Sequence, residues 1–194
     1  LEANQEEIHW GLLSRNPAPN AIKLLEVNQD KINWDCLSQN PAPGAIKLLE
    51  ANPEKIDWDN LSGNIAPEAI NLLEANPEKI YWDMLSRNPS AIKLLEANQE
   101  KIDWTWMSEN PAPGAIKLLE ANQDKINWYM LSENPSAIKL LEANQEKIHW
   151  YMLSGNPSAI KLLEANPEKI YWWYLSRNPA PGAIKLLEAN QEKI

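Results

Sequence analysis

The chain has 194 residues, with 18 basic against 27 acidic side chains and a formal net charge of −9. That balance argues against a nucleic-acid partner, whose phosphates attract clustered Lys and Arg, and no apolar run approaches the ~18–20 residues that would span a bilayer. The start carries no signal-peptide pattern, nothing calls for a cofactor, and the lone Cys36 permits no internal disulfide and leaves compartment and location open.

One unit recurs from end to end: Asn-Pro-x-Ala-Ile-Lys-Leu-Leu-Glu-Ala-Asn-(Pro/Gln)-(Glu/Asp)-Lys-Ile-x-Trp-x-x-Leu-Ser-x. Its tryptophans fall at Trp10, Trp34, Trp58, Trp82, Trp104, Trp128, Trp150 and Trp172, at intervals of 22 or 24 residues. A fixed period of this size marks a solenoid. The expected fold is therefore all-α, a solenoid of eight helix-turn-helix repeats forming a single array over residues 1–194. Leu1-Glu2-Ala3-Asn4 and Gln191-Glu192-Lys193-Ile194 both fall inside a repeat, and neither end shows the polar cap that solenoids carry. The chain thus reads as a segment of a longer array, with Ile and Leu expected to be exposed on its terminal faces.

Within a repeat, Asn88-Pro89 opens the first helix: Asn is expected as N-cap and Pro at the first helical position. Ala91, Ile92, Leu94 and Leu95 then share one face of a short helix A, with Lys93 and Glu96 opposite. Two turns of helix are marginal alone, so stability must come from neighbouring repeats. Asn98-Gln99-Glu100-Lys101 reads as a tight turn, and Ile102 as a plug beneath it. The start of helix B is set by the residue before each tryptophan: His9, Asn33, Asp57, Tyr81, Asp103, Asn127, His149 and Tyr171. Such variety is incompatible with a core centre but suits an N-cap, for which Asp and Asn are favoured. Helix B then runs from about Trp58 to Gly63 and its counterparts. Trp58, Leu61 and Ser62 face inward, the tryptophans forming a core ladder, and residues 59, 60 and 63 face outward. The paired asparagines of each repeat, such as Asn40 and Asn52, are expected to bond backbone groups at helix ends, with stacked copies forming ladders. Long repeats read Asn-Pro-Ala-Pro-Gly-Ala, as at 40–45, and short ones Asn-Pro-Ser-Ala, as at 134–137. The two extra residues are expected to lengthen a surface loop before helix A.

The units Asn156-Pro157-Ser158-Ala159-Ile160-Lys161-Leu162-Leu163-Glu164 and Ile170-Tyr171-Trp172-Trp173-Tyr174-Leu175-Ser176 resemble a tandem-repeat family of giant DNA viruses and marine eukaryotic sequences. There the pattern is Asn-Pro-Asn-Ala-Ile-His-Leu-Leu-Glu and Asp-Trp-x-x-Leu-Ser. The likeness spans the whole chain, which departs in having Lys where the family often has His and in its Ala-Pro-Gly insertions. It implies a repeat scaffold and brings no catalytic residues.

No catalytic constellation emerges from the residues either. His9 and His149 lie in distant repeats, and a serine present in every helix B, such as Ser38, reads as scaffold. Asp35, Asp57, Asp59 and Asp83 could ligate a hard cation, but a solvated acidic face explains them and no metal site is assigned. Asn60-Leu61-Ser62 matches a glycosylation sequon inside a helix and is read as chance. Cys36 shares its position with Leu12, Met84 and Met130 and reads as a small hydrophobe. The outward pairs of helix B are more informative. They read Gly11-Leu12, Asp35-Cys36, Asp59-Asn60 and Asp83-Met84, then Thr105-Trp106, Tyr129-Met130, Tyr151-Met152 and Trp173-Tyr174. The face turns from acidic to aromatic, the composition of an interface, unless packing between adjacent B helices buries these side chains laterally. The expected function is a non-enzymatic scaffold for protein–protein interaction. Its expected partner-binding residues are Trp106, Tyr129, Met130, Tyr151, Met152, Tyr171, Trp173 and Tyr174, and the partner a protein, a peptide or a copy of the chain. The alternative is a structural protein whose copies associate side by side or end to end into a filament or shell component.

Overall fold

A computed structural model describes residues 7–193, and among them sixteen α-helices and no strand. The chain divides into two compact units, Leu1–Lys101 and Ile102–Ile194. Each is an α-solenoid of alternating A and B helices joined by single 3-10 turns. In the first unit the B helices are Trp10–Arg15, Trp34–Ser38, Trp58–Ser62 and Trp82–Ser86, and the A helices Pro19–Glu26, Pro43–Ala51, Pro67–Ala75 and Ile92–Ala97. In the second the B helices are Trp104–Glu109, Trp128–Glu133, Trp150–Gly155 and Trp172–Leu175, and the A helices Pro113–Ala121, Ile138–Ala143, Ile160–Glu164 and Pro181–Ala189. Within each unit B stacks on B from repeat to repeat, and a B helix lies against the A helix that follows it in the chain.

The core is a column of side chains set by the repeat. Leu37, Leu61 and Leu85 from the B helices, and Leu25, Leu49, Leu73 and Leu95 from the A helices, are fully enclosed. Ile32, Ile56, Ile80, Ile102, Ile126, Ile148 and Ile170 are buried beneath the 3-10 turns, as expected of a plug. The residue before each tryptophan is the N-cap of helix B, and its side chain accepts the expected hydrogen bond in Asn33, Asp57, Asp103 and Asn127. Among the described residues Ile184 is 52% exposed, whereas Ile22, Ile46 and Ile70 lie under the next A helix and are at most 9% exposed. The expected half repeat at the other end falls mostly on residues 1–6, outside the described residues.

Helices this short leave most of their terminal backbone groups unpaired, and three invariant side chains supply the partners. The first asparagine reaches across the repeat seam. The Asn64 amide donates to the carbonyls of Ser38 (2.9 Å) and Asn40 (3.1 Å), while its oxygen accepts from the Ala66 N–H (2.9 Å). Asn40, Asn134, Asn156 and Asn178 repeat the pattern. The serine hydroxyl donates to the carbonyl of the tryptophan four residues earlier and accepts the cap residue's N–H from the next repeat, as Ser38 does with Trp34 and Asp57. The second asparagine closes helix A, with Asn52 donating to the Leu48 carbonyl. No buried side-chain nitrogen or oxygen lacks a partner among the described residues.

Three expectations are corrected. Asn-Pro does not cap helix A: Asn88 Oδ1 accepts from Ser90, and Ala91 is the N-cap. An asparagine already committed to the seam turns its oxygen onto the backbone two residues on, so the helix begins later. The insertion in long repeats does not lengthen a loop but extends helix A. Pro43–Ala51 has nine residues and Ile92–Ala97 six, because Pro-Gly-Ala supplies an extra first turn with proline preset for it. Finally, the tryptophans are half-buried rather than core. Each is the first residue of its helix, where the chain enters from the surface, and at Trp82, Trp104, Trp128 and Trp150 a lysine of the following turn covers the ring. Lys101 lies 5.0 Å from the Trp82 ring centre and Lys169 lies 4.5 Å from that of Trp150.

The asparagine ladder predicts unequal costs for chemically identical changes. Asn64→Ala orphans two buried carbonyls and an N–H and should destabilise the protein by about 3–5 kcal/mol. Asn52→Ala loses one bond at a half-buried site and should cost about 1 kcal/mol. Denaturant unfolding of the two variants checks the ranking, and equal midpoints would refute the seam account. By the same reading Tyr81, whose side chain makes no cap bond, is replaceable. Tyr81→Asn should raise stability by about 0.5–1 kcal/mol in the same assay.

Candidate interaction face

With serines and asparagines absorbed by the backbone, variation concentrates in a few columns of the B helices. Counting repeat by repeat, the cap column holds His9 through Tyr171, and the first outward column Gly11, Asp35, Asp59, Asp83, Thr105, Tyr129, Tyr151 and Trp173. The second outward column runs from Leu12 to Tyr174. A fourth column, the last outward position, includes Gln39, Gly63, Glu133 and Gly155.

The second outward column packs laterally. Its residue lies against the fourth-column residue of the preceding repeat: Asn60 accepts a hydrogen bond from Gln39, and the Met84 methyl lies over Gly63. A Cβ on Gly155 would meet the Tyr174 ring at 2.4 Å, so only glycine leaves room for it. Laid across that gap, Tyr174 stacks on Tyr151 with ring centres 4.4 Å apart and donates from its hydroxyl to Glu133 Oε1 at 3.0 Å, two repeats back. The Arg177 guanidinium lies over the Tyr174 ring, 5.6 Å from its centre. Burial first, then the hydrogen bond and charge of Glu133, hold the Tyr174 phenol above its ordinary 10.0, against the opposing charge of Arg177. Met152 is buried (6% exposed), and Trp106 and Met130 are half-buried. Of the residues expected to bind a partner, Met152 is thus withdrawn into packing between B helices, where a second-column side chain is trapped by its neighbour.

The first outward column behaves differently. Tyr129 and Trp173 are exposed, as is Tyr171 of the cap column. A first-column ring meets the cap-column ring of the next repeat edge to face: Tyr129 with His149 at 4.7 Å and Tyr151 with Tyr171 at 5.6 Å between centres. Trp173 adjoins Tyr174 at 6.2 Å. His149, Tyr151 and Tyr171 line a cleft of about 460 Å³, together with Ile148, Trp150, Glu168, Lys169 and Ile170. The rings expected as a set are therefore joined in the second unit through Tyr151, Tyr171, Trp173 and Tyr174, with Tyr129 paired to His149. Sequence reasoning missed His149 as part of this face. The signal was its place in the cap column beside Tyr171.

In the first unit the first outward column is acidic at Asp35, Asp59 and Asp83. Asp57 and Asp83 accept backbone N–H bonds, Asp35 and Asp59 are exposed, and no metal-binding cluster forms among the described residues. The sequon at Asn60 includes Leu61 and Ser62, both fully buried. No described helix is long and apolar enough to cross a membrane. Comparison with family models, with curated proteins and with solved structures finds no match to this chain.

The Tyr174 clasp has a pH signature. Since its phenol is held above 10.0 when folded, any stability it contributes is complete below that pH and is lost as pH rises through the raised value. In an alkaline titration followed by phenolate absorbance, Tyr174→Phe should remove the latest component, and Glu133→Gln should move that component back towards the ordinary range. A Tyr174→Phe titration unchanged in its late phase would contradict the assignment.

Proposed function

We propose that this chain is a non-enzymatic interaction scaffold, and that the aromatic columns of its second unit engage a protein or peptide. One observation carries the reading. Tyr129, Tyr151, Tyr171 and Trp173 do nothing for the hydrogen-bonded frame, since no side-chain cap bond is made by Tyr171 and the seam is closed by Asn and Ser. Yet these free positions are filled by large rings that each meet another ring of the face, with Tyr129, Tyr171 and Trp173 exposed. Tyr and Trp supply contact area at low entropic cost and are enriched where partners bind. The recurrent serine has both hydrogen-bonding functions committed to backbone at Ser14, Ser38, Ser62, Ser108, Ser132 and Ser154, which supports a scaffold over a hydrolase.

Panning a random-peptide library on the intact chain, with a Tyr129→Ser, Tyr151→Ser, Trp173→Ser variant as counter-target, tests the proposal. Selected binders should lose at least about tenfold in affinity for the triple variant, as expected when central aromatic anchors are removed. Binders that hold both proteins equally would overturn it. Self-association of the wild-type chain, abolished by the same changes, would make a second copy the partner.

A further inference from the structure

Phenol rings held in contact are chemically joinable, and the second unit holds one pair arranged for it. We propose that Tyr151 and Tyr174 form an oxidative cross-linking site, at which a one-electron oxidant couples the two rings into a dityrosine tying helix Trp150–Gly155 to helix Trp172–Leu175.

Geometry selects the pair. Of the five tyrosines in the chain, Tyr151 meets two others. Its ring is stacked on that of Tyr174, with centres 4.4 Å apart and planes inclined by 26°. Its contact with Tyr171 is edge to face, at 5.6 Å and 84°. Tyr129 meets His149 instead, and Tyr81 belongs to the first unit. A phenoxyl radical carries its unpaired spin in the π system, on the oxygen and on the ring carbons ortho and para to it. Bonding between two such rings therefore needs face-to-face overlap of π lobes, which stacking supplies and an edge-to-face contact does not. Stacked rings touch carbon on carbon at about 3.5–4.0 Å, close to the ~3–3.5 Å at which reacting atoms are poised.

The surroundings of Tyr174 hold it in place. Gly155 leaves the space that its ring fills, and the Arg177 guanidinium lies over the ring. The hydroxyl donates to Glu133 Oε1 at 3.0 Å. That bond has a chemical consequence. Loss of an electron makes a phenol strongly acidic, and a carboxylate within hydrogen-bond reach takes the proton as the electron leaves. Glu133 is exposed and passes the proton on to water.

The step balances as follows. Two equivalents of oxidant each remove one electron. Tyr174 gives its phenolic proton to Glu133, and Tyr151 gives its own to water. The two radicals pair in a C–C bond between ring carbons ortho to the oxygens. Both ortho C–H bonds then break, their protons leave to water, and the two oxygens take up protons as the rings become aromatic again. The net loss is two protons and two electrons. The new bond fixes covalently a seam that Ser154 and Asn178 otherwise close by hydrogen bonds.

Oxidation of the intact chain at high dilution, by an illuminated ruthenium tris-bipyridine complex with persulfate, tests the site. The expected product is a monomer lighter by two hydrogens, with dityrosine fluorescence. Its tryptic digest should link peptide 148–161 to peptide 170–177. Tyr151→Phe or Tyr174→Phe should abolish the link. Tyr171→Phe, in the same peptide as Tyr174, should leave it intact. Glu133→Gln should slow its formation by about tenfold or more. The oxidised wild-type chain should also melt at a higher temperature than before treatment, and the oxidised Tyr174→Phe chain should not. A link that runs through Tyr171, links formed only between chains, or oxidation that ends at Trp173 without any link would each overturn the proposal.

Discussion

Everything in this molecule depends on satisfying the backbone of helices too short to satisfy their own. A helix of five or six residues has nearly all its N–H and C=O groups in terminal turns, where no intrahelical partner exists. Water cannot serve groups at a buried seam, and an orphaned buried polar group costs about 1–3 kcal/mol. The solution is a side chain with both donor and acceptor held at a fixed place in every repeat. The Asn64 amide ties together the carbonyls of Ser38 and Asn40 in the preceding repeat and the N–H of Ala66 in its own. Serine does the same with a single oxygen. Since each bond spans a seam, pairing and stacking are one event, and the repeat cannot be complete without its neighbour.

That constraint explains which positions are fixed. Asparagine, serine and the enclosed leucines keep their places. The tryptophan also recurs, yet it stands half-buried at the mouth of each B helix, under a lysine at Trp82, Trp104, Trp128 and Trp150. Its constancy therefore reflects a repeated lid, with ring, lysine stem and turn closing the seam from outside, rather than enclosure. Snorkelling lysines of this kind cover apolar surface while leaving their charge in water.

The period, the N-cap at the residue before tryptophan, the isoleucine plug and the asparagine ladder were legible from residues alone, because each follows from a repeated pattern read against one rule. The misreadings share a cause. Asn-Pro looks like a helix cap in isolation, but the asparagine is already spent across the seam. Ala-Pro-Gly looks like a loop, but proline at N1 extends helix A. Neither could be seen within a single repeat, since both depend on what the adjacent repeat requires. The lateral packing of the second outward column left one readable trace: Gly63 and Gly155 each stand one repeat before a large side chain, Met84 and Tyr174.

The division between frame and face follows from the same physics. Side chains that bond the backbone across the seam do not vary, and the second-column residues Met84 and Tyr174 fit the glycine of the repeat before them. The cap and first outward columns alone are unconstrained by neighbours, because a cap can be forgone at about 1 kcal/mol and an outward ring displaces nothing. Tyr171 and His149 forgo the cap bond that Asn33 and Asp57 make. At Tyr81, as at Tyr171, an exposed ring replaces the capping side chain without disturbing the frame. The two units thus repeat the same kind of frame, with different chemistry at the positions that it leaves free.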